Sequence, residues 1–385
     1  MEKRTLIALA LSFMVLGLYP LVLQKFYPNY YNKKPVSSSQ GQANVTATAA
    51  ASAGRVSEKL VKAGDFSADE DVALKNSDLA LVFNKKDGGI RAAAFPRFVD
   101  SETSRPIQFI SLKSLGVSTG SLLVTSGADS SLVTDFAGEA SGDQASFSSS
   151  VLDRKIAVTK SFSFDGESSG KLKVRLENTT DAPFDLSYEL IVGSGVTARH
   201  SIDEQYIEAN FFSQTAEKKI LKHIKENRVG KIVTSAGSVE WVAVKDRHFS
   251  IIMKPDTAGA FTGLVRGLGA HDFAASLVSQ KITLQPRSSV EHEFLVYIGP
   301  NEIEPLEKLG LGDIVNFGKF DMIGKLFVGA LELLQKLCRN YGLAIILLTT
   351  LINLILFPLT RVSYMSMKRM QLIQPQMNKL KEHHK

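Results

Sequence analysis

The sequence predicts a mixed membrane protein. Its parts are an N-terminal transmembrane helix, a large antiparallel β-sandwich outside the cytoplasm, an interfacial amphipathic helix, a second transmembrane helix and the start of a cytoplasmic helix. Three observations carry this. Two apolar stretches, Thr5–Gln24 and Tyr341–Thr360, are long enough to span: about 20 residues at 1.5 Å rise give ~30 Å of helix, the depth of a hydrocarbon core. Between them, from about Leu79 to Pro300, short apolar runs alternate with period two and are cut by Gly, Asp, Ser and Asn, which reads as many short strands in a sandwich. After Thr360, the six basic residues Arg361, Lys368, Arg369, Lys379, Lys381 and Lys385 stand against one acid, Glu382. By the positive-inside rule that tail is cytoplasmic. Two spans put both termini on one side, so the β-rich middle is extracytoplasmic.

Composition excludes several function classes. The formal charge of +6 is small and dispersed, and no RNP-like aromatic set or zinc-finger spacing appears, which argues against nucleic acid. The single cysteine, Cys338, allows neither an intramolecular disulfide nor a Cys-based metal cluster. It is expected to pack as a small apolar side chain.

The elements follow in order. Residues 1–25 form the first span: a basic start, MEKR, then an apolar run without the small-residue cleavage site of a signal peptide or a lipobox cysteine. Tyr19, Phe26, Tyr27, Tyr30 and Tyr31 cluster where an interfacial aromatic belt sits. Residues 26–75 read as a flexible tether, because 35–58 is rich in Ser, Ala, Thr and Gln and has little to bury. The Asn44-Val45-Thr46 sequon within it is a chance match. Residues 76–300 form the β-domain. Leu79–Phe83 and Ile90–Phe95 are joined by Lys86-Asp87-Gly88-Gly89, hairpin-turn chemistry. Lys155–Phe164, Lys171–Leu176, Phe184–Val192, Trp241–Met253 and Val290–Ile298 are further strands, while Ser213–Lys225 and Ser276–Gln280 hint at local helix.

Residues 301–340 hold a connector and the amphipathic helix Lys319–Arg339. At 100° per residue, Lys325, Glu332, Lys336 and Arg339 fall within about 60° of Asp321, opposite a broad apolar face suited to the membrane interface. A helix packed on the β-domain is the alternative. Residues 341–360 are the second span, and 361–385 begin the cytoplasmic region with the basic flank Arg361, Lys368 and Arg369.

No catalytic constellation, cofactor or metal site emerges. Gly116-Val117-Ser118-Thr119-Gly120 matches the G-x-S-x-G nucleophile pattern, but its flanks read as strands rather than strand–turn–helix. The histidines are scattered without metal-ligand spacing; His200 near Asp203 and Glu204, and His271 beside Asp272, read as loop residues. Glu291 and Glu293 alternate onto a solvated strand face. Gly318 and Gly324-Lys325 do not make a phosphate loop, since the spacing is wrong and Leu326 replaces the required hydroxyl. Asn353 stands apart because it lies mid-span, one turn after Thr349 and Thr350. A carboxamide there must find a partner or face water. It reads either as glue between helices or, with Thr349 and Thr350, as a polar stripe lining a wet cavity.

The combination resembles the Gram-negative YidC membrane protein insertases. The similar features are the anchor, the tether, the β-domain closing in Tyr297-Ile298-Gly299-Pro300, the interfacial helix, Asn340-Tyr341-Gly342-Leu343-Ala344-Ile345-Ile346 and Phe357-Pro358-Leu359-Thr360. Ser363-Tyr364-Met365-Ser366-Met367-Lys368, Met370 and Leu372-Ile373-Gln374-Pro375-Gln376-Met377 resemble the family's entry into its cytoplasmic hairpin, and Trp241–Pro255 resembles a stretch of its β-domain. The resemblance implies a nucleotide-independent insertase and chaperone, not an enzyme, in the bacterial inner membrane. It implies a periplasmic super-sandwich related to mutarotase-like domains, a cytoplasmic N-terminus, and nascent membrane proteins, lipid, the Sec translocon and the ribosome as partners. It also implies a hydrophilic groove to which Thr349, Thr350 and Asn353 belong, and four further core helices beyond Lys385, so that this chain is the N-terminal portion only. Where the family carries a basic groove residue, five positions before the Pro of Pro-Leu-Thr, this sequence has Asn353. The other readings are a membrane-anchored periplasmic carbohydrate-binding or mutarotase-like protein, and a passive scaffold docking Sec.

Overall fold

The computed structural model describes residues 71–100, 104–110, 118–193, 196, 201–215, 219–225, 230–257, 259–267, 273–316 and 321–383. The anchor and most of the tether lie outside them, as do His200, His271 and Asp272. The chain divides into two compact units, one ending at Pro300 and one beginning at Asn301.

The first unit is built from strands, in chain order β1 (Asp71–Lys75), β2 (Ala80–Asn84), β3 (Gly89–Val99), β4 (Pro106–Ile110), β5 (Leu122–Ser126), β6 (Asp129–Leu132) and β7 (Ala137–Ser141). There follow β8 (Gln144–Val151), β9 (Ile156–Phe164), β10 (Ser169–Asn178), β11 (Phe184–Gly193), β12 (Glu208–Gln214), β13 (Lys219–Ile224) and β14 (Ile232–Thr234). The last are β15 (Ser238–Lys245), β16 (Phe249–Pro255), β17 (Phe261–Gly267), β18 (Phe273–Ser279), β19 (Ile282–Leu284) and β20 (Ser289–Pro300). Nine form one sheet in the order β13-β12-β15-β16-β20-β10-β9-β8-β7; four form β1-β2-β3-β4; six run β14-β17-β18-β11-β5-β6 with β19 paired to β11. The predicted antiparallel sandwich is what folds.

Period two explains the packing. On β9, Ile156, Val158 and Phe162 are buried and point one way. On β10, Leu172, Val174 and Leu176 turn inward, while Lys171 and Lys173 lie outward and reach Glu293 at 3.8 and 3.4 Å. The nine-stranded sheet backs both others. Phe83 of β2 meets Phe147 and Phe162 at 5.4 and 5.6 Å, and Phe95 of β3 stacks on Phe249 of β16 at 4.4 Å. Phe261 of β17 meets Phe294 of β20 at 5.2 Å. Each such ring, removed from water, contributes about 2–3 kcal/mol.

The two smaller sheets meet over the larger one at a seam. Ile90 and Thr119 form an isolated antiparallel bridge between them, with N···O distances of 2.6 and 3.0 Å. The Asp87-Gly88-Gly89 turn folds into this seam. Gly88 has φ +58°, and a Cβ there would sit 2.9 Å from Lys160 Cε; one on Gly89 would sit 2.8 Å from the Thr119 carbonyl oxygen. Asp87 is fully buried, and its carboxylate accepts from the amides of Gly89 and Ser118 and from Ser121 Oγ. From the larger sheet, Lys160 donates to the carbonyls of Asp87 (2.7 Å) and Gly120 (2.9 Å) and lies 4.5 Å above the Phe136 ring. Burial lowers its pKa to about 7, against an opposing pull from Asp87.

Four sequence expectations are corrected here. The described residues of Ser213–Lys225 form no helix: they hold the end of β12 and the edge strand β13. Ser276–Gln280 falls largely in β18, and Trp241–Met253 is two strands, β15 and β16, turned by Asp246, whose Oδ1 accepts from the amides of His248 and Phe249. The tether, expected to reach residue 75, gives way to β1 at Asp71.

The second unit holds three α-helices among the described residues: α1 (Ile303–Lys308), α2 (Asp321–Cys338) and α3 (Tyr341–His383). The second span and the cytoplasmic start, expected as separate pieces, form one continuous helix of 43 residues with Pro358 inside it. Proline removes one backbone donor there, and the helix continues through it.

Candidate functional site

α3 begins at a tight elbow. Arg339, at φ +51°, closes α2 in a left-handed conformation, and Asn340 Oδ1 accepts from the Leu343 amide at 3.2 Å, an N-cap. Along α3, Ala344 is fully buried and Leu348 and Ile352 are half-buried, a row at i, i+4 and i+8. α2 packs against this helix. The stretch Tyr341–Gln371 is long and apolar enough to cross a membrane.

The three predicted groove residues lie together, exposed, about 100–160° around the helix from the Ala344 row. Thr349 Oγ1 donates to the Ile345 carbonyl at 2.8 Å, Thr350 Oγ1 to Ile346 at 2.8 Å, and Asn353 Nδ2 to Thr349 at 2.9 Å. Sequence reasoning missed a fourth member. Thr360 lies on the same face as Asn353 and donates to the Leu356 carbonyl at 2.9 Å. Its seven-residue spacing from Asn353, two helical turns, was the available signal. Arg361, Lys368 and Arg369 follow on the exposed helix surface.

On α2 the exposed apolar side chains are Met322, Ile323, Leu326, Phe327, Leu333 and Leu337. The predicted polar face is only partly formed. Lys325 pairs with Asp321 at 3.1 Å, and Glu332 and Lys336 share that side of the helix, but Arg339 lies past its end in the elbow.

The β-domain holds its own polar clusters. Glu208 on β12 is buried and receives His223 Nδ1 at 3.3 Å and Lys245 Nζ at 3.2 Å. Burial pushes its pKa up, but His223 and Lys245 outweigh that and hold it at about 2. Arg266 of β17 spans to the Glu189 carboxylate of β11, its Nη2 at 2.7 Å from Oε2. Tyr188 and His292 share a 2.7 Å hydrogen bond between sheets, and burial lowers the His292 pKa. These tie strands and sheets together. Ser118, the central residue of the G-x-S-x-G match, is 1% exposed, and no imidazole bonds to it among the described residues. A shielded hydroxyl in that position has no route to a substrate.

Residues 71–330 match the family profile of the YidC periplasmic domain, and 333–385 that of the 60Kd inner membrane protein. The membrane protein insertase YidC of Geotalea daltonii is 27% identical over 409 residues, covering 99% of this chain and 73% of the relative. That of Pelobacter propionicus is 28% identical over 410 residues, covering 100% and 72%. The β-domain also has a loose likeness to a galactose mutarotase-like protein from Lactobacillus casei, with a TM-score of 0.40, 10% identity, and coverage of 59% of this chain and 99% of that one. That distance carries no ligand across.

Proposed function

The chain belongs to the YidC family of membrane protein insertases, and from that premise we propose that α3 supplies one wall of a water-filled intramembrane groove. The observation that supports it is the exposed stripe of Thr349, Thr350 and Asn353 on a helix otherwise apolar enough to span. The substrates are nascent inner-membrane proteins. Moving a polar segment through hydrocarbon is expensive because lipid offers it no hydrogen bonds. A hydrophilic wall shortens the dry distance, and the apolar part of the client then leaves sideways into lipid. No bond is made or broken, so the work is binding and solvation.

In this reading α2 lies in the outer headgroup layer with Met322, Ile323, Leu326, Leu333 and Leu337 toward the acyl chains, a use that suits six exposed apolar side chains on one helix. The N-terminus and the basic flank Arg361, Lys368 and Arg369 are cytoplasmic, and the β-domain is periplasmic. The Sec translocon and the ribosome are partners on the strength of the resemblance.

Cysteine placed at 353 in the complete protein tests the groove. A water-soluble maleimide added from the cytoplasmic side labels it well above the background of cysteine at Ile355, which is exposed and lies about 160° around α3 from Asn353. Equal protection at the two positions would remove the wet wall.

A further inference from the structure

The hydrogen bonds of the stripe assign its polarity, a property that residue identity alone leaves open. Thr349, Thr350 and Thr360 each spend their single hydroxyl proton on the carbonyl four residues back, and Asn353 spends one amide proton on Thr349. This back-bonding satisfies the donors within the helix. What remains turned outward is lone pairs: three hydroxyl oxygens and the Asn353 carboxamide oxygen, with one spare amide proton as the sole outward donor. From Thr349 to Thr360 these groups run ~16 Å along the helix, about half the hydrocarbon depth. No cation interrupts them, since Arg361 and Lys368 come after the last.

We propose that this stripe is an acceptor track that selects translocated segments whose polar groups bring hydrogen-bond donors, hydroxyls and carboxamides, over segments bearing carboxylates. The proposal rests on the reading of α3 as a groove wall. A donor side chain sliding past recovers part of the hydrogen bonding it lost on leaving bulk water. An ionised carboxylate meets mainly lone pairs along the track, so the waters it sheds on approach go largely unreplaced. The discrimination therefore falls on charge and donor character, not on length or hydrophobicity.

The test uses the complete protein in proteoliposomes and a single-span client whose short translocated tail carries either two Asn or two Asp at the same positions. With Asn353 in place, the Asn tail inserts at least five-fold faster than the Asp tail. Asn353→Arg, which puts a donor and a charge on the track, narrows that ratio toward one. Thr349→Val, a near-isosteric swap that deletes one acceptor, slows the Asn tail by two-fold or more and slows it more than the Asp tail. Equal insertion of the two tails, or a faster Asp tail, with Asn353 in place overturns the acceptor track. A cysteine at 353 that water does not reach overturns the groove reading itself. A labelled cysteine with no tail preference overturns the track alone.

Discussion

At Lys160 the inward register of β9 places an ammonium among Val158, Phe162 and the seam, where an apolar side chain is the rule. Its two hydrogen bonds satisfy the buried carbonyls of Asp87 and Gly120, so truncation strands both. Lys160→Met is expected to lower unfolding free energy by about 3 kcal/mol. The effect also depends on pH. The folded chain holds this proton only below about pH 7, whereas an ordinary lysine holds it to 10.5. Between those values the unfolded state binds more protons, so stability rises with pH, and it is least favoured below 7, where a charge stays buried. The melting temperature of the native chain, relative to Lys160→Met, should climb from pH 7 to 10; a flat difference would contradict the buried amine. This residue was legible in principle, because alternation in Ile156–Phe164 puts position 160 on the inward face. Its partners were not: Asp87 and Gly120 lie 73 and 40 residues away. Glu208 was less legible still, since its burial depends on a pairing with Lys245 across β15.

Elements were read best where one signal dominated. The Asp87-Gly88-Gly89 turn sits where its glycines indicate, and both glycines have a reason. The left-handed φ of Gly88 costs any other residue about 1–2 kcal/mol. Gly89 is needed for closeness, since a Cβ there would press on the backbone of Thr119. Gly127, with φ +58° and nothing within 4 Å, is the internal control. Gly89→Ala should therefore destabilise more than Gly127→Ala in denaturant titration, the latter by no more than the left-handed strain; the reverse order would refute the seam as a packed junction. The misread elements fail for a common reason. Lys219, Lys222 and Lys225 look helical in composition, yet the first two decorate β13 and the third follows it, at the exposed edge of the nine-stranded sheet, where lysine discourages pairing with other chains. Ser276 and Ser279 are small polar residues buried within β18, and only the flanking strands could reveal that. In α3, back-bonded hydroxyls are invisible in sequence, although Thr349 and Thr350, two of the three residues that make them, were found.

For the molecule as a whole, the sequence conveys the division of labour: a β-domain and a spanning helix with polar residues in it. It does not convey the strand order, because β20 pairs with β10 and β16, partners far from it along the chain. Nor does it show that two smaller sheets share one large backing sheet. The two units should separate by solvent preference. Residues 71–300 are expected to remain in the aqueous phase and unfold cooperatively, with an apolar core drawn from all three sheets. A segment from Asn301 onward should float with liposomes, and Leu333→Glu with Leu337→Glu should shorten the protease protection of α2 while α3 stays inserted. Unchanged protection would detach α2 from the lipid surface.

The elbow between the last two helices has a mechanical meaning. Only Arg339 and Asn340 separate them, one locked left-handed and the other holding the cap. Such a joint has no slack, so in the placement proposed above, with α2 in the headgroups, that helix acts as an outrigger. Its immersion trims the tilt and depth of α3, and with them the height at which Thr349 and Asn353 sit. A change in lipid packing at the surface is thereby levered into a change of position at the bilayer's middle.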